Sequence, residues 1–239
     1  ASVSRPNIAT SRTTASPKEV EGKMAATEAS TVEVLRKILP AAGGSFIEWY
    51  EFAIFAYLSK TMATNFFAGS QLATWAGFSV TFMARPIGGS FLAWVADTCG
   101  RRGALLISML GMLIATVGQG LLPSRLCCGE VAGHFGMVLL LLCRFMQGAC
   151  AGGEICSIAT YCTERAPQSA LGFCSSLVCI TGSIAFLLAS AVTGLCEHNF
   201  GPEAMEQWGW RVPFLLSLPP GLVAMWGRRS LVETEEFLH

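Results

Sequence analysis

Charge is what this chain has least of. Only 13% of its 239 residues are Asp, Glu, Lys or Arg, against about 25% in an ordinary soluble domain. The sixteen basic and sixteen acidic residues cancel, so no excess field exists to gather nucleic acid, and none is expected as a partner. Histidine is also scarce. His134, His198 and His239 stand far apart, without metal-ligand spacing, so no metal or other cofactor is expected. No apolar segment sets a nucleophile beside a histidine base, which argues against an enzyme.

What fills the chain instead is apolar. Hydrophobic residues make up 52% and the mean hydropathy is +0.52, a composition that belongs to a polytopic all-α membrane protein. Residues 1–34 are rich in Ser, Thr and Ala without apolar periodicity and read as a disordered tail. Six apolar segments follow, at about 38–62, 72–96, 103–122, 134–161, 171–195 and 210–227, each near the ~20 residues that cross a bilayer. The connections are short except from Glu197 to Gly209, and residues 228–239 read as the start of a central loop. Arg101, Arg102, Arg165, Arg228, Arg229 and six basic residues of the tail fall on one side, against Lys60 and Arg125 on the other. The positive-inside rule then puts both ends in the cytoplasm, and the plasma membrane is the expected location. Of ten cysteines, most lie in or beside the spans, where they act as small hydrophobes. Cys127, Cys128 and Cys196 fall in loops of one side, with free thiols expected and a bridge as the alternative.

The polar residues inside the spans carry the functional argument. In RFMQGACAGGE, residues 144–154, Arg144, Gln147, Ala151 and Glu154 share an arc of roughly 80°. Gly148 and Gly152 lie beside it with the spacing that admits a close helix neighbour. A charge in hydrocarbon is costly unless it faces a partner or a wet cavity, so this face should look inward. Glu48 and Glu51, three residues apart in GGSFIEWYEF, form a second inward pair and, with Glu154, are candidates for proton carriage. The competing reading makes them structural ion pairs or hydrated membrane-edge groups. Trp49, Tyr50 and Phe52 either line a cavity or pack. Arg85, next to the helix-bending Pro86, needs a carboxylate partner from the first span. Gly89, Ala93 and Asp97 mark a narrow packing face, and Asp97 joins Arg101 and Arg102 in a charged turn.

AWVADTCGRR resembles the loop motif of the major facilitator superfamily, GxxxDRxGRR. GGSFIEWYEFAIFAYL, FMARPIGG, RFMQGACAGGE, TERAP, WGWRVPF and RRSLVETEEF, in that order, are similar to its metabolite:proton symporter branch, which holds proline/betaine, α-ketoglutarate, citrate and shikimate permeases. The resemblance covers residues 35–239. It implies the six-helix N-terminal bundle of a facilitator fold and a proton-coupled secondary transporter for a small polar or anionic metabolite. Arg144 would meet a substrate carboxylate or an intramembrane acid, and Gln147 the substrate. Asp97, Arg101, Arg102 and Glu164 would form the cytoplasmic gating network. That network is thinned here, because Ala93 and Thr98 replace a glycine and a basic residue of the motif and Leu171 stands in a basic position. Glu51 and Ser45 replace the branch's usual Asp and Asn. Span five lacks the GPxxGG pattern of drug antiporters.

Such transporters pair two six-helix halves around a midplane site. The expected partners are therefore a small metabolite, protons, the lipid bilayer, and either a C-terminal half that completes a longer chain or a second copy of this one. A membrane receptor or inactive subunit that binds without transporting is the rival class.

Overall fold

A computed structural model describes residues 43–165 and 171–229, in which helix is the regular structure throughout. Residues 1–42, 166–170 and 230–239 lie outside the described residues, among them the tail, the start of the first expected span and the last two residues of TERAP. Helix α1 (43–57) and α2 (Ser59–Phe66) run on as one ladder. The single residue between them, Leu58, donates to the Ile54 carbonyl at 2.9 Å and accepts from Met62 at 2.9 Å. Ser70 caps α3 (Gln71–Cys99) by accepting from the Ala73 amide at 3.2 Å. Gly100, at φ 90°, ends α3 and begins α4 (Arg101–Gly120), a conformation that suits a residue without Cβ.

Helix α5 (Arg125–Arg165) starts well before the anticipated residue 134 and breaks at Gly129. Helix α6 (Leu171–Ala204) contains the interval 171–195 and corrects the long connection expected after it. The chain stays helical to a break at Gly201-Pro202 and resumes as a π-helical turn, Met205–Gly209. Glu197, His198 and Asn199 misled the reading because they are polar, but they occupy an exposed side while Cys196, Met205 and Trp210 are buried. The last interval is two helices, α7 (Arg211–Leu215) and α8 (Leu218–Arg229). Pro219 and Pro220 sit in the first turn of α8, where no amide donor is needed. Helix α8 extends through Arg228 and Arg229, the two residues assigned from sequence to a central loop.

Among the described residues, three stretches are long and apolar enough to cross a membrane by length and composition: Arg102–Gly120, Arg125–Glu154 and Cys179–Gly209. The remaining helices are short or diluted with polar residues, as α3 is by Thr74, Arg85 and Asp97.

Two contacts organise the bundle. Along α1–α2, Tyr50, Ile54, Phe55, Met62 and Phe66 form one core with Ala185 and Ala189 of α6, Trp210 and Phe214. The Tyr50 hydroxyl donates to the Pro213 carbonyl at 3.3 Å, and Asn65 Nδ2 donates to the Glu206 carbonyl at 2.8 Å. The second contact is between α3 and α5. A Cβ built at Gly148 or Gly152 would strike the carbonyls of Thr81 and Arg85, and one at Gly88 the backbone of Ala149. Backbone-to-backbone packing of this kind needs glycine on both sides. Of the face expected on α3, Gly89 lies against Gly152, but Ala93 and Asp97 are exposed; Gly88 and Leu92, one residue back along the helix, pack instead. Cys127 and Cys128 are joined as a disulfide and Cys196 is free, so the free-thiol expectation fails for that adjacent pair.

Candidate functional site

Between α1, α4 and α5 lies a small cavity with room for about one water molecule, lined by Glu48, Glu51, Phe52, Met112, Arg144, Gln147 and Ala151. Helical periodicity explains the assembly. Glu48, Glu51 and Phe52 sit within about one turn of α1, and Arg144, Gln147 and Ala151 fall on one stripe of α5. The glycines behind that stripe let α3 press against α5 and direct the polar side chains toward α1.

Arg85 reaches across from α3 to Glu48, with Nη2 2.7 Å from Oε1. Its guanidinium also lies 5.1 Å from the ring centroids of Phe52 and Phe82. Glu48 is 1% exposed and Arg85 21%, so the carboxylate is buried and the cation bridges to the surface. Glu51 accepts from Gln147 Nε2 at 2.9 Å, and the other hydrogen of that amide goes to Thr116 Oγ1 at 2.8 Å. Thr116 in turn donates to the Met112 carbonyl at 2.9 Å. A continuous chain of donors and acceptors thus fixes Glu51 from α4 and α5.

Arg144 is different. It is 1% exposed, stacks over Phe55 at 3.8 Å from the ring centroid, and makes no ion pair among the described residues. Its Nε and Nη2 have no hydrogen-bond partner, and neither do Glu48 Oε2, Glu51 Oε1 and Gln147 Oε1. Orphaned donors on one wall and orphaned acceptors on the other are expensive in a low-dielectric interior. Such a set is chemically complementary to an anionic group at Arg144 and to donors at the carboxylates, in a space that admits about one water molecule as it stands. Of the three aromatics considered from sequence, Phe52 lines the cavity, Tyr50 is core, and Trp49 packs on Gly182 and Phe186 of α6.

Glu154 does not join this cavity. It is fully buried in an ion pair with Arg228 of α8, formed through the two terminal guanidinium nitrogens. Ser108 Oγ of α4 donates to Glu154 Oε2 at 3.0 Å. The sequence reading missed Arg228 by treating it as a cytoplasmic loop charge; the signal was that Glu154 lacked a counter-ion. Thr116 and Ser108 were missed as well, because a hydroxyl inside an apolar helix commonly bonds its own backbone. At the other end of α3, Asp97 is exposed and Thr98 Oγ1 is spent on the Trp94 carbonyl at 2.9 Å. Arg102 Nη2 donates to the Arg229 carbonyl at 2.5 Å. The side chains of Arg101 and Glu164 lie outside the described residues. Among the described residues no His, Cys, Asp and Glu cluster could hold a metal.

A family model described as "Sugar (and other) transporter" matches residues 37–239. The chain belongs to that transporter family. It is 36% identical over 215 residues to the ectoine/proline transporter ProP of Corynebacterium glutamicum, covering 84% of this chain and 42% of that protein. It is 34% identical over 215 residues to the alpha-ketoglutarate permease of Escherichia coli strain K12, covering 88% and 49%. Among solved structures, the proton:xylose symporter XylE of E. coli superposes with a TM-score of 0.76 at 20% identity, covering 87% of this chain and 47% of that one. That likeness shows the fold, an all-α facilitator bundle, and the transporter-family match together with the long apolar helices makes this an integral multi-pass membrane protein. The chain spans less than half the length of these relatives.

Proposed function

We propose that this chain builds one wall of a transport pathway for a small carboxylate-bearing metabolite, moved by proton-coupled symport. The observation that carries the reading is Arg144: a buried guanidinium with two unpartnered donor nitrogens, at a cavity where Glu48 Oε2, Glu51 Oε1 and Gln147 Oε1 are also unpartnered. A substrate carboxylate satisfies it by charge-assisted hydrogen bonds, and Gln147 orients the substrate. Glu48 and Glu51 carry the proton, since each keeps one free oxygen at the cavity. Arg85, by holding Glu48, links proton occupancy to the position of α3. Protonation of a carboxylate releases Arg85 or Gln147, and this coupling lets a proton and a substrate move together.

The relatives are named for ectoine and proline and for α-ketoglutarate, so the substrate class proposed for this chain is a small carboxylate of that kind. A second six-helix half, or a second copy of this chain, supplies the opposite wall. Both ends face the cytoplasm, the membrane is the plasma membrane, and Asp97, Arg101, Arg102 and Glu164 form the cytoplasmic gate. The test is uptake of labelled proline and 2-oxoglutarate into vesicles under an imposed pH gradient. Accumulation that follows the gradient and disappears in Arg144→Gln supports the reading; gradient-independent uptake, unchanged in that variant, sinks it. A second reading, a receptor that binds without flux, draws on Thr98, whose hydroxyl is engaged locally where the superfamily motif has a cation. Binding of either probe with no accumulation would favour it.

A further inference from the structure

Glu154 sits seven residues beyond Gln147 on α5, about 10 Å along the helix, and its surroundings are unlike the cavity's. Arg228 and Glu154 are both 0% exposed. Arg228 Nη1 donates to Glu154 Oε2 at 3.0 Å and to the Leu105 carbonyl at 3.0 Å, and Nη2 pairs with Oε1. Ser108 supplies a further donor to Oε2. Both carboxylate oxygens are thus engaged, in contrast to Glu48 and Glu51. From the fourth side, Gly44 of α1 lies so close that a Cβ there would occupy the positions of Arg228 Nη2 and Glu154 Oε1. Four helices, α1, α4, α5 and α8, therefore meet at one charge pair, with α1 contributing bare backbone.

We infer that Glu154 and Arg228 form a fixed bolt that pins the C-terminal end of α8 to α5 and thereby positions Arg144 and Gln147, and that Glu154 carries no proton in transport. The positioning part rests on the proposed transport reading; the bolt itself does not. A proton carrier must exchange with a wet path, whereas this carboxylate is enclosed by its partner, Ser108 and the α1 backbone. The other charged group in its field is Glu48 of α1, which is already held by Arg85. A pair whose worth is geometric can be replaced by uncharged groups that fill the same space, while removing one partner strands a buried charge.

The experiment is a double-mutant cycle on the full protein in detergent, read by thermal unfolding, with vesicle uptake of labelled proline and 2-oxoglutarate from pH 5 to 8. Glu154→Gln and Arg228→Met should each lower the midpoint, by on the order of 10 °C. The double variant should regain most of that loss, and it should keep the unmodified pH profile of uptake. Gly44→Ala, which leaves both charges in place, should lower the midpoint as well. Losses that simply add in the double variant, or an unchanged midpoint in Gly44→Ala, would overturn the bolt. A double variant that folds but whose uptake no longer responds to pH would show that Glu154 carries the proton. If the unmodified protein accumulates neither probe, the transport reading falls while the melting cycle still decides the bolt.

Discussion

The guanidinium of Arg144 lies 3.8 Å from the ring centroid of Phe55, and this face-on contact is its main compensation for burial. A desolvated cation over an aromatic ring gains roughly 2 kcal/mol, less than a buried charge costs. The remaining deficit is what the proposed substrate carboxylate would offset. Phe55→Leu keeps most of the packing and removes the ring. The unfolding midpoint should fall by several degrees, and carboxylate affinity should rise, because the guanidinium without its ring gains more from an anion. A Phe55→Leu protein with unaltered affinity would separate Arg144 from the ring.

Arg85 and Glu48 form the one ion pair at the cavity among the described residues. Arg85→Ala leaves a carboxylate that is 1% exposed without its cation, and breaking such a pair costs about 3–5 kcal/mol. Arg85→Ala should therefore destabilise more than Arg85→Ala combined with Glu48→Gln. Thermal unfolding of the two variants in the same detergent reads the difference, and equal losses would contradict the pairing.

The contact between α3 and α5 leaves no room for side chains. Gly148→Val and Gly152→Val should each abolish recovery of folded protein, since the new atoms meet the carbonyls of Thr81 and Arg85. Gly194→Ala, with open space around it, should leave recovery unchanged. Fluorescence-detected size exclusion of the three variants tests this, and a monodisperse Gly148→Val would refute the close approach.

Asn65 is fully buried and joins α2 to the π-helical turn through the Glu206 carbonyl. Asn65→Leu leaves that carbonyl without its donor, at a cost of about 1–3 kcal/mol. The unfolding midpoint should drop while the affinity of the cavity, remote from this contact, stays the same. A lowered affinity would mean that the α2 contact reaches the site.

Much of the site was legible because polar residues in apolar helices have few alternatives. Glu48, Arg85, Arg144 and Gln147 stood out by cost alone, and helical spacing put Glu48 and Glu51 on one side of α1. The assignment of Arg85 to a first-span carboxylate followed from the same cost. What sequence could not separate was Glu154 from the cavity stripe it shares. Periodicity gives the face of a residue, but its partner depends on which helix end arrives beside it. Here that is α8, whose Arg228 lay beyond the apolar run and looked like a loop charge. The stretch from Glu197 to Gly209 failed for a related reason: Gly201-Pro202 breaks the helix without ending it, and the buried Met205 and Trp210 hold the continuation in place.

The most direct test of the account is the uptake of labelled proline and 2-oxoglutarate into vesicles, with and without an inward proton gradient, comparing the unmodified protein with Arg144→Gln. The account predicts gradient-driven accumulation of a carboxylate probe that the Arg144→Gln protein loses while remaining folded. Equal accumulation by the two proteins would contradict it.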